Sequence, residues 1–65
     1  MSESQKSWVR SEVGRYIRGE SSQFNGGILK TWLTDCQAAV TAGAPYPEMK
    51  PVLKQWILDY LIEIA

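Results

Sequence analysis

Histidine is absent from the 65 residues, and cysteine occurs once, at Cys36. Without histidine no Ser-His-Asp or Cys-His arrangement can be assembled, which closes most routes to nucleophilic catalysis. A single cysteine permits no internal disulfide, and with no histidine beside it there is no zinc-type ligand set. The expectation is a chain with no catalytic residues, no metal site and no cofactor. Charge of one sign is also missing: seven acids balance seven bases, and the formal net charge is zero. Nucleic-acid modules are usually visibly basic because phosphate neutralisation drives their affinity, so this balance argues against that class. No long apolar run exists. Lys54, Asp59 and Glu63 interrupt the most apolar stretch, Pro51 to Ala65, which argues against a transmembrane span. The polar start Met-Ser-Glu-Ser-Gln-Lys lacks the hydrophobic region of a signal peptide. A cytoplasmic protein with no membrane partner is expected, and one unpaired cysteine fits a reducing compartment. Internal repeats, low-complexity segments and strand-like alternation are missing too.

What is present is helical periodicity. From Gln5 to Arg18 the apolar residues Trp8, Val9, Val13, Tyr16 and Ile17 recur at helical spacing. Ser4 is placed as an N-cap and Gly19 as the C-terminal stop, and residues 1–3 are expected to fray. Glu20 to Asn25 reads as a loop. Its one large apolar residue, Phe24, either folds back onto the core or staples the start of the next helix. Ile28, Leu29, Trp32, Leu33, Cys36, Ala39 and Val40 then share one face of a second helix, which Gly43 ends. Pro45 and Pro47 hold the next segment extended. Pro51 fits the first turn of a third helix beginning near Glu48 to Lys50. The predicted fold is all-α: one domain over 1–65, a three-helix bundle with helices at about 5–18, 26–42 and 49–64, the C-terminal helix central. So short a chain lies near the lower size limit for independent folding, and without disulfide or metal it must rely on helix packing or on oligomerisation.

The C-terminal helix carries two apolar stripes where a surface helix needs one. Leu53, Trp56, Ile57, Tyr60 and Leu61 share one face, and Leu58, Ile62 and Ala65 form the second. The wet positions reduce mainly to Gln55, Asp59 and Glu63, with Lys54 on the other side. The second stripe is either core, because two helices must cover the third, or an exposed association patch. Leu58, Ile62 and Ala65 are therefore candidates for self-association or partner binding. Tyr46, between two prolines, is either a presented aromatic contact or part of a stiff turn. Arg10, Arg15 and Arg18 lie on the wet side of the first helix and are candidates for phosphate contact; the neutral total favours ordinary surface charge instead. An exposed Glu12–Arg15 pair would be worth little. Asp59 and Glu63, four residues apart, read as an acid pair or ligand edge, as a dock for a basic partner, or as the solvated stripe of an apolar helix, the last being preferred. Cys36 falls on an apolar face and is expected to be a small buried core residue rather than a reactive thiol. Gly26-Gly27-Ile28-Leu29-Lys30-Thr31 does not keep the spacing of a phosphate-binding loop.

Together these readings predict a small non-enzymatic interaction protein. It would bind and modulate or inhibit another protein and form a homodimer through its C-terminal helix. Chains of this kind are common among phage and mobile-element proteins. The alternative is a nucleic-acid-binding regulator that uses the arginine face.

Overall fold

The computed structural model describes residues 2–65, and within them the chain forms α1 (Ser2–Ile17), a 3-10 turn (Gln23–Asn25), α2 (Gly27–Ala42) and α3 (Val52–Ile64). The all-α three-helix architecture read from the sequence is the observed one. Helix α1 stops at Gly19, whose φ of 81° is in the left-handed region. The Gly19 N–H donates to the Tyr16 carbonyl and the Glu20 N–H to the Arg15 carbonyl. This paired return suits a residue without Cβ. Gly43 ends α2 similarly, with φ 87° and its N–H shared between the carbonyls of Ala39 and Val40.

Two helix starts differ from expectation. Helix α1 begins at Ser2, so Ser4 lies inside it and caps nothing, and Ser2 and Glu3 are helical; Met1 lies outside the described residues. Glu3 in the first turn faces the positive end of the helix dipole, which favours this earlier start. Helix α3 begins later than expected, at Val52, with Pro51 extended at the N-cap (φ −72°, ψ 176°). The reason is local: proline disfavours helical geometry in the residue before it, so Lys50 cannot open the helix. The Pro51 carbonyl instead accepts from the N–H groups of Lys54 and Gln55.

Helix α3 packs against both α1 and α2, while the 3-10 turn fills the space between α1 and α2. The fully packed core comprises Val9 and Val13, Phe24, Leu33 and Cys36, and Ile57, Leu58 and Leu61. Leu58 is 1% exposed. Of the two readings of the second stripe, core therefore holds for Leu58, because its side chain is covered by neighbouring elements. Ile28, assigned to the apolar face of α2, is instead 58% exposed at the start of that helix.

Phe24 folds back onto the core, and polar bonds hold its turn there. Ser22 Oγ donates to the Glu12 carbonyl and accepts from the Phe24 N–H; the Gln23 N–H donates to Glu12 Oε1. Arg15 Nε donates to the Ser21 carbonyl. The Glu12–Arg15 ion pair that the spacing allows does not form, since both side chains are engaged with the loop. Between α2 and α3, Lys54 Nζ lies 3.0 Å from Asp35 Oδ2, with the lysine side chain 17% exposed. The radius of gyration is 11.0 Å, close to the roughly 10.7 Å expected for a folded chain of this length. No helix among the described residues is long and apolar enough to cross a membrane.

Candidate interaction surface

Helices α1 and α3 lie side by side and run in the same direction. Residues at the start of α1 meet the start of α3, and Arg10 meets Tyr60 and Glu63 further along. Two concave features follow, and they share Trp56.

The first is an apolar groove of about 650 Å³ where the two N-terminal ends meet, walled by Trp8, Val52, Leu53 and Trp56. Only Ser4 and Gln5 supply polar side chains to it. Val52, the first residue of α3, is 62% exposed. Trp8 is braced from beneath: its ring lies 5.7 Å from the buried Phe24 ring at a tilt of 39°. A braced aromatic loses little conformational freedom when covered. The groove lacks the convergent polar groups that fix the orientation of a small ligand.

The second feature is a shallow dish lined by Lys6 and Arg10 from α1 and by Trp56, Asp59, Tyr60 and Glu63 from α3. Its floor is aromatic and its cations lie over the rings. Lys6 Nζ is 5.9 Å from the centre of the Trp56 ring, and Arg10 Cζ is 4.8 Å from that of Tyr60. Arg10 also grips Glu63 with both terminal nitrogens, at 2.8 and 2.7 Å, the strong two-point geometry of guanidinium and carboxylate. The hydrogen bond from Arg10, with its charge, holds the Glu63 carboxyl below its ordinary value of 4.5. Asp59 and Glu63 do not act as a pair here: Glu63 is taken by Arg10 within the chain. Asp59 accepts from Gln55 Nε2, and Gln55 Oε1 accepts from the Met49 N–H, which ties the proline-rich connection to α3.

The sequence candidates are scattered. Leu58 is core, Ile62 is half-buried against the core, Ala65 is exposed, and Tyr46 is 37% exposed in the proline-rich connection. Arg10, Arg15 and Arg18 all face solvent, yet each is engaged within the chain: Arg10 with Glu63, Arg15 with the Ser21 carbonyl, Arg18 with Glu20 at 3.0 Å. The Arg18 hydrogen bond and charge lower the Glu20 carboxyl. Cys36 is fully buried, its Sγ 3.5 Å from the Lys54 carbonyl, and burial pushes its thiol up to about 11. Such a thiol is unreactive at neutral pH.

Sequence reasoning missed the groove. Trp8, Leu53 and Trp56 lie on the apolar faces that periodicity predicts. Periodicity carries no sign of the parallel side-by-side placement that leaves the edge of these faces open. A usable signal was Val52, an apolar residue in the first turn directly after a proline. No known protein-family model, curated protein or solved structure matches the chain.

Proposed function

We propose that the chain is a non-enzymatic binding module that acts by occupying a surface on another protein, and that the Trp8–Val52–Trp56 groove is its contact site. The observation that supports this reading is a preformed apolar groove with two tryptophans and almost no polar lining. Interfaces concentrate their affinity in a few aromatic anchors, and rigid ones bind at low entropic cost. Occupying a partner's surface in this way modulates or inhibits that partner without chemistry.

Val52→Glu tests the reading. A carboxylate in the first turn of α3 favours the helix dipole, so the variant keeps its helicity and melting temperature while placing charge in the groove. Wild-type chain is used to capture a protein from lysate of the cells that express it. The captured protein is then purified and titrated calorimetrically against wild type and variant. The expected result is binding at least about tenfold weaker for Val52→Glu. Equal affinity for the two chains, or no capture at all, overturns the reading.

A further inference from the structure

We infer that the dish between α1 and α3 is a self-complementary interface, covered by a second copy of this chain in a two-fold dimer. The inference does not rest on the groove. Its basis is the distribution of sign: the basic groups of the dish, Lys6 and Arg10, all come from α1, and the acidic ones, Asp59 and Glu63, all come from α3. An isologous dimer needs a patch that complements itself.

The parallel run of the helices then selects one arrangement. A two-fold axis along the seam lays α1 of one copy over α3 of the other, heads together, so that each basic edge meets an acidic edge at the same height. A two-fold axis across the seam would lay basic edge on basic edge and acidic on acidic. Lys6 sits level with Trp56, one turn from Asp59. Neither Lys6 nor Asp59 takes part in an ion pair among the described residues. In the dimer along the seam each comes within one turn of the other across the interface, within reach of the long lysine side chain, twice. The half-buried rings of Trp56 and Tyr60 are covered at the same time. Zero net charge leaves no long-range repulsion between copies. A chain with so small a core also gains from shared burial.

Light scattering after size exclusion, over a range of concentrations, should give twice the monomer mass for the wild type at high concentration. Lys6→Glu and Asp59→Lys should each weaken the dimer by about tenfold or more, since each puts like charges opposite one another at two places. An equimolar mixture of the two variants should recover a one-to-one heterodimer, because every facing pair is again of opposite sign. That recovery separates an intermolecular pair from an intramolecular one and shows that neither variant is misfolded. A wild type that is monomeric throughout, a dimer indifferent to both substitutions, or a mixture that stays monomeric overturns the inference.

Discussion

Gly14 and Gly19 sit five residues apart near the end of α1 and carry opposite meanings. Gly14 is buried inside the helix, and an added Cβ would meet Arg18 Nη1 at 3.2 Å and Tyr60 Oη at 3.8 Å. Arg18 and its partner Glu20 are both exposed side chains, so the whole guanidinium can shift with its carboxylate by the few tenths of an ångström required. Gly14→Ala should therefore keep the helix-propensity gain and raise stability by about 0.5–1 kcal/mol. A melting-temperature rise of several degrees checks it. Gly19→Ala forces a Cβ into the left-handed region and should lower stability by about 1 kcal/mol. Cys36 gives the residue-scale pH dependence. Its folded value is raised above the ordinary 9.0 to about 11, so the unfolded thiol ionises first as pH rises. Stability is unaffected by this group below pH 9.0 and falls between there and about 11. The stability difference between wild type and Cys36→Ala in denaturant melts should be constant below that range and change only within it, the variant losing less there. A thiol reagent at pH 7 should leave the native chain unmodified and label it in denaturant.

At the level of elements, the short 3-10 turn matters more than its length suggests. Phe24 fills the space between α1 and α2 and supports Trp8 from below. Phe24→Ala should cost about 3–5 kcal/mol, comparable with the whole stability of a domain this size. Circular dichroism should show a chain largely unfolded or without a cooperative melt. Phe24→Leu should retain a cooperative melt at lower temperature. Local bonds also explain why a loop of polar residues is ordered: Glu12 and Arg15 of α1 satisfy its backbone, and Ser22 Oγ donates back to the Glu12 carbonyl while accepting from the Phe24 N–H.

For the whole molecule, charge is balanced locally as well as in total. Arg10 and Arg18 are each neutralised by a carboxylate, which leaves the arginine side of α1 a weak field for phosphate. Generic duplex DNA at low salt should give no anisotropy change with this chain. Binding that weakens steeply with added salt would restore the nucleic-acid alternative. The surface that remains is the seam between α1 and α3, with an apolar groove at one end and a charged dish beyond it.

The three helices, their glycine stops and the burial of Cys36 were all legible in the residues, and the inward return of Phe24 was one of two readings open there. Each follows from local rules: spacing along one helix, a residue without Cβ, or the solvation cost of one side chain. What local rules do not contain is which neighbour each face meets. The core place of Leu58, the Arg10–Glu63 grip, the Lys54–Asp35 tie and the groove at Trp8, Val52 and Trp56 depend on residues far apart in the chain. They depend on α3 lying parallel to α1, an arrangement set by how two helices and one aromatic turn fill a common space. Periodicity orders residues around a single axis and is silent on the relation between two axes, so only the tertiary structure decided which residues meet along the seam of α1 and α3.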